Sequence, residues 1–138
     1  MEGNYTITIT GQYDGWAFLP SNNDDDTDRL KLLEVLDFGD MTFGNEGYWF
    51  NGCDNAVITA TVGPDMTGIT TYTNGFAFMD ESAFNANWMV NWDTSDVTNM
   101  RTLFENNYIL NQDLSNWYVY FSLFVLFCQA FVLICYRY

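Results

Sequence analysis

The sequence predicts an α+β, β-rich repeat fold, namely a short solenoid of stacked coils that follows a β-rich N-terminal cap. Asn-Trp pairs occur at positions 91–92 and again at positions 116–117. Phe50, Phe76 and Phe104 recur at similar intervals. A roughly constant period with a few fixed apolar anchors is typical of proteins in which each repeat packs on its neighbours.

The predicted N-terminal cap and lead-in comprise residues 1–47. Residues 4–10 alternate strictly between polar and apolar side chains, with threonines at positions 6, 8 and 10, which predicts a half-buried strand. The apolar face of that strand carries Tyr5, Ile7 and Ile9. A solenoid needs such a cap because its end coil otherwise exposes an unpaired apolar face.

The rest of the lead-in is less regular. Residues 12–19 are predicted to return as the hairpin partner of the first strand. Residues 20–28 form a polar, acidic loop by composition. Residues 30–38 fit a brief helical turn or a strand, and we favour a strand because the apolar run is short and ends at Gly39.

The solenoid repeats are predicted to span residues 48–117. β-Branched alternation and repeat register predict strands at residues 56–62, 88–91 and 113–116. Apolar residues at mixed three- and four-residue spacing predict a short helix or 3₁₀ turn at residues 66–78 and again at residues 97–104.

The repeat register assigns side chains to the core or to the surface. The predicted structural anchors of the repeats are Phe50, Phe76, Phe84, Trp92, Phe104, Leu110 and Trp117. Cys53 is predicted to be a small buried residue at a corner. The predicted exposed strand positions, which are our candidates for binding, are Thr59, Thr61, Asn87, Met89, Gln112 and Asp113.

Composition argues against several classes of function. The chain contains no histidine, which removes catalysis that depends on a histidine base, and no phosphate-binding glycine loop is present. The acidic run at residues 24–28 fails the EF-hand template, because Arg29 and Val35 occupy the positions of the required glycine and glutamate. A net charge of −14 opposes nucleic-acid binding. We therefore predict no catalytic residue, no metal site and no cofactor.

The final segment, residues 118–138, departs from the repeat. Residues 117–136 carry no charged side chain and are long enough to cross a bilayer as a helix. Three interpretations stay open: a membrane-inserted anchor, the product of a reading-frame change, or a buried terminal strand. The N-terminus shows no secretory signal.

Residues 84–117, FNANWMVNWDTSDVTNMRTLFENNYILNQDLSNW, resemble the repeat of BspA-like leucine-rich-repeat surface proteins, the mycoplasma-lipoprotein repeat family. Residues 29–53 are similar to the lead-in of such repeats. The resemblance implies a leucine-rich-repeat-like, right-handed solenoid at the cell surface or outside the cell. It also implies a non-catalytic function, adhesion or contact with an unknown protein or glycan ligand. The alternative function is a structural assembly or scaffold protein that self-associates by stacking through its open solenoid end.

Overall fold

The computed structural model describes residues 3–13, 15–20, 28–79, 87–107, 110 and 112–118. Its regular elements are, in chain order, a 3₁₀ helix Asp28–Lys31, strand β1 Glu34–Val35, strand β2 Val57–Ile58 and a 3₁₀ helix Met89–Asn91. The two strands pair in parallel, with Glu34 opposite Val57 and Val35 opposite Ile58. Isolated parallel bridges join Thr42 to Asp65 and Thr71 to Asn99.

The predicted leucine-rich-repeat-like solenoid with a β N-terminal cap is wrong. The described residues contain a single pair of two-residue strands and no α-helix, and no sheet is shared by successive repeats. Residues 66–78 and 97–104 form turns rather than helices. Where a strand was predicted at residues 88–91, the chain forms the 3₁₀ helix Met89–Asn91. Residues 113–116 contain no strand. The alternative function, an assembly or scaffold protein that self-associates, stays a prediction.

Backbone hydrogen bonding explains why neither helices nor strands extend. The N–H groups of residues 74, 76 and 78 donate to the carbonyl groups of residues 101, 103 and 105, in a later segment of the chain. The intervening N–H groups of Gly75 and Ala77 instead close turns onto residues three positions earlier. In a helix all of these N–H groups would bond to carbonyl groups four positions earlier. In a strand within a sheet they would bond to neighbouring strands instead. Because local bonds and bonds to another segment alternate along the chain, neither a helix nor a strand continues here.

Three segments are joined by such bonds, and we call them the paired segments: residues 47–53, 72–79 and 99–107. The first two alternate between local bonds and bonds to the next segment, whereas in the third the N–H groups of residues 103, 105 and 107 close local turns. The N–H groups of Tyr48, Phe50 and Gly52 donate to carbonyl groups of the second segment at 2.8–2.9 Å. The repeat period thus takes the form of parallel backbone bonding between irregular segments. Gly47 is required here, because it has φ 70° and an added Cβ would lie 2.2 Å from the Thr73 carbonyl oxygen.

The predicted N-terminal strand and hairpin are also wrong. Residues 3–10 are exposed and not assigned to a strand. The Thr42 N–H donates to the Tyr13 carbonyl, and the Gly15 N–H donates to the Thr42 carbonyl, both at 3.2 Å. Tyr13, Gly15 and Phe18 therefore bond to the region of residues 42–48, and among the described residues no hairpin with residues 4–10 forms. Strand β1 does fall within residues 30–38, and β2 falls within residues 56–62, where strands were favoured.

Aromatic side chains form the core. Phe50, Phe76 and Phe104, one from each paired segment, stack with ring centroids 5.8 and 6.0 Å apart. Trp92 stacks on Trp117 at 6.0 Å. Such offset stacks are a favourable packing arrangement of aromatic side chains. The prediction that Cys53 is buried is confirmed.

The predicted apolar tail lies outside the described residues from residue 119 onward. Within the described part of the chain, no helix is long and apolar enough to span a bilayer. The last described position, Tyr118, is held by Thr94, whose hydroxyl accepts the Tyr118 N–H at 2.7 Å.

Candidate binding surface

The candidate binding residues fall in different environments. Thr59, Thr61, Asn87 and Asp113 are exposed, and Gln112 is half-buried. Met89 is fully buried, so its predicted exposure is wrong. The 3₁₀ helix at Met89–Asn91 replaces the expected strand, and the alternation that would have exposed Met89 is absent. The Met89 carbonyl accepts the indole N–H of Trp117 at 2.8 Å.

Thr59 and Asp113 are already engaged by the protein itself. The Thr59 hydroxyl donates to the Glu34 carboxylate at 2.8 Å. The Asp113 carboxylate accepts the Ser115 N–H at 2.9 Å. The first bond joins the side chains of two segments that are 25 positions apart, and the second closes a local turn. The contacts of the described residues do not join Thr59 to Asp113 in one site.

The anchors predicted from the repeat register occupy the core. The described members, all buried, are Phe50, Phe76, Trp92, Phe104, Leu110 and Trp117. Phe84 lies outside the described residues.

A repeated acidic turn lies on the surface of the molecule. Asp37, Asp65, Asp93 and Asp113 each accept, at 2.9 Å, the backbone N–H of the residue two positions later. Hydrogen bonds from Ser95 and Ser115 hold the pKa of Asp93 and Asp113 below the usual range, and the Thr67 side chain and N–H do the same for the pKa of Asp65. These three carboxylates are thus ionised at neutral pH. Among the described residues, no three acidic, histidine or cysteine side chains cluster closely enough to hold a metal ion.

The paired segments share two left-handed backbone positions. The first is occupied by Tyr48, Asn74 and Thr102, with φ between 53° and 56°. The second, four positions later in each segment, is occupied by Gly52, Phe78 and Asn106. Left-handed conformations let the chain alternate between local turns and bonds to the neighbouring segment. Glycine and asparagine are the residue types that adopt them most easily.

Phe78 is the exception at the second of these positions. Its φ is 56°, and its side chain is 43% exposed. A bulky residue at positive φ is an outlier, and such strain concentrates at functional sites. Its N–H donates to the Glu105 carbonyl at 2.7 Å, so the strained position is held by the neighbouring segment.

Arg29 packs on Gly52, which occupies the same left-handed position in the first paired segment as Phe78 does in the second. A Cβ added to Gly52 would lie 2.8 Å from Cδ of Arg29, so the Arg29 side chain covers Gly52. The Gly52 N–H donates to the carbonyl of Ala77, directly before Phe78. We call the surface formed by Arg29, Gly52, Phe78 and Asn106 the Phe78 surface. It combines an exposed aromatic ring with a guanidinium group, and aromatic residues and arginine are both enriched at protein interfaces.

The buried reactive groups are poorly suited to catalysis. Burial raises the pKa of the Cys53 thiol to about 12, with a smaller opposing effect from Arg29. Burial, aided by the charge of Asp93, also raises the pKa of Tyr72 above its ordinary value. Both groups are protonated at neutral pH, and a thiol needs its deprotonated form to act as a nucleophile.

Phe78 is not among the binding residues that the sequence predicts, although the three paired segments, once aligned by their backbone conformation, mark it as unusual. The second left-handed position holds glycine in one paired segment and asparagine in another, so an aromatic residue at the third is unusual. Recognising this requires knowledge of the backbone conformation. The sequence alone placed residue 78 at the end of a predicted helix.

Comparison with known proteins identifies a family and nothing narrower. The family model for "Mycoplasma protein of unknown function, DUF285" matches residues 47–123. The match therefore begins with the first paired segment and covers more than half of the chain. Searches of curated proteins and of solved structures found no match. On this evidence the chain belongs to the family of Mycoplasma proteins of unknown function, DUF285.

Proposed function

We propose that this chain is a non-catalytic cell-surface protein that contacts a protein or glycan ligand through the Phe78 surface. The resemblance of residues 84–117 to the BspA-like surface repeats supports a role in adhesion. Membership of the mycoplasma family is consistent with that role. The observation that carries the proposal is the exposed Phe78 ring at a left-handed backbone position.

The conformational free energy that a phenylalanine costs at this position supports a role for its ring in binding. A left-handed conformation costs a residue with a side chain roughly 1–2 kcal/mol. Packing recovers only part of that cost, because the residue is 43% exposed. Gly52 and Asn106 hold the equivalent positions, so the backbone does not demand an aromatic residue there. A ring at this position is well suited to contact a ligand, since it offers a large apolar area with few rotatable bonds.

The electrostatic surroundings narrow the ligand class. The chain has a net charge of −14, and an anionic ligand is repelled over long range. Arg29 at the edge of the Phe78 surface provides guanidinium N–H donors for neutral hydroxyl or carbonyl groups. The proposed ligands are therefore uncharged glycans and polypeptides that are neutral or basic.

The test uses labelled full-length protein on an array of purified glycans and extracellular-matrix proteins. We expect binding that Phe78→Gly weakens roughly tenfold, the change typical of losing one anchoring side chain. The control Phe78→Tyr retains the ring and should bind nearly as well as the wild type. Absence of binding throughout the array, or equal binding by Phe78→Gly, would contradict the proposal.

A further inference from the structure

We propose that residues 4–10 form an antiparallel strand pair with the same residues of a second copy of this chain, with the twofold axis at Ile7. This site is separate from the Phe78 surface and does not depend on the function proposed for it. The occupant is another copy, and the contact is mediated by backbone hydrogen bonds and by one apolar face.

The segment is exposed but has the pattern of a half-buried strand. Tyr5, Ile7 and Ile9 alternate with threonines, and their side chains are 77%, 83% and 60% exposed. Among the described residues, backbone hydrogen bonding to the rest of the protein begins at Tyr13. Unpaired strand-like segments with apolar side chains readily pair with another chain.

The sequence of the segment is self-complementary in the antiparallel direction. With Ile7 opposite Ile7, Tyr5 lies opposite Ile9, and all six apolar side chains share one face. Thr6 then lies opposite Thr8 on the other face. Aromatic–β-branched pairs and threonine pairs are both favourable across antiparallel strands. A twofold arrangement also closes, because each copy contributes the same surface.

Charge favours contact at this segment over contact elsewhere. Each copy carries a net charge of −14, so two copies repel each other over most of their surfaces. Residues 3–13 contain no charged side chain. Pairing there places no carboxylate opposite another. The outer edge of β1 is a poorer partner, because Glu34–Val35 is only two residues long and carries an acidic side chain.

The first test measures the mass of the full-length protein by sedimentation over a concentration series. A mild detergent is added because residues 119–136 carry no charged side chain. We expect a reversible dimer that strengthens with added salt, because salt screens the repulsion between copies. Ile7→Lys should weaken dimerisation at least about tenfold, since it places two like charges on the axis. Thr8→Lys makes the same change in charge on the opposite face and should leave the dimer nearly intact. A monomeric wild type, or equal effects of both variants, would overturn the proposal.

The second test fixes the register by disulfide formation in a background with Cys128→Ser and Cys135→Ser. Cys53 is buried and does not compete. Ile7→Cys should give a disulfide-linked dimer under mild oxidation, because the two residues face each other. Ile9→Cys should not, because its copies would be about 13 Å apart, beyond disulfide reach. Equal linking by both variants, or linking by neither, would overturn the register and with it the proposed dimer.

Discussion

Phe78 shows how one residue can conflict with its own backbone. Its left-handed φ suits glycine or asparagine, which occupy the two equivalent positions, Gly52 and Asn106. The neighbouring segment fixes the conformation through the bond from the Phe78 N–H to the Glu105 carbonyl. The cost is local, and it is separable from any role of the ring in binding.

Comparison of Phe78→Gly with Phe78→Ala isolates that cost. Both variants remove the ring, but only alanine keeps a Cβ in the left-handed conformation. We expect the glycine variant to be more stable than the alanine variant by about 1 kcal/mol, measured by urea unfolding. At an ordinary helical or extended position the order is reversed, because glycine loses more entropy on folding. The reversed order here would contradict the left-handed assignment.

At the scale of elements, the paired segments depend on turns that precede them. The Asp65 and Asp93 turns each lie shortly before a paired segment, and Asp37 occupies the corresponding place before the first. Each carboxylate satisfies a backbone N–H that would otherwise be left to water. These turns recur because their acids, at positions 37, 65 and 93, are evenly spaced along the chain.

The Asp93 turn gives a prediction about stability and pH. Asp93→Ala should lower the free energy of unfolding at pH 7, whereas Asp93→Asn should lower it less, because an amide oxygen can still accept the Ser95 N–H. Asp96→Ala is the control, since it changes the net charge equally. Urea unfolding at pH 7 measures all three variants. A loss no greater for Asp93→Ala than for Asp96→Ala would contradict a stabilising role of the turn.

The pH dependence follows from the lowered pKa of Asp93. The unfolded carboxyl group binds a proton at a higher pH than the folded one, so the stabilisation is complete above the unfolded pKa of about 3.9. It is lost as the pH falls through the folded pKa. The stability gap between wild type and Asp93→Ala should therefore narrow in acid.

At the scale of the whole molecule, the described residues pack around an aromatic core and contain little regular secondary structure. Phe76 is fully buried and stacks on both Phe50 and Phe104, so its ring connects the three paired segments. The strand pair supplies only two residues from each strand. Packing between segments must therefore compensate for the small amount of regular structure.

Removal of the central ring tests this dependence. Phe76→Ala should cost about 3–5 kcal/mol, the range for phenylalanine truncation in a packed core. Phe78→Ala, two positions away but 43% exposed, should cost much less. Urea unfolding followed by tryptophan fluorescence measures both variants. Similar losses for the two would contradict a core organised around the stacked phenylalanines.

Parts of the fold and of the surface were accessible from the sequence. Its period located the side chains that stack in the core, including Phe50, Phe76 and Phe104, because recurring apolar residues are the main signal of burial. Its alternation found the exposed apolar face of residues 4–10 but placed that face in a cap, since one sequence does not show what a strand pairs with. The prediction that Met89 is exposed is wrong for a similar reason. The repeat register assigns a side chain to one face of a strand only where that strand forms, and residues 89–91 form a 3₁₀ helix.

The sequence by itself determined composition, charge, the repeat period and six of the seven predicted core anchors, since Phe84 lies outside the described residues. Only the tertiary structure decided that the period produces irregular paired segments in place of helices and an extended sheet. The reason is that each backbone N–H can bond locally or to the neighbouring segment, and the choice depends on φ angles set by packing between segments. Phe78 at φ 56° is one such case, with Tyr48 at φ 56° and Thr102 at φ 55°, because none of these side chains favours the left-handed conformation.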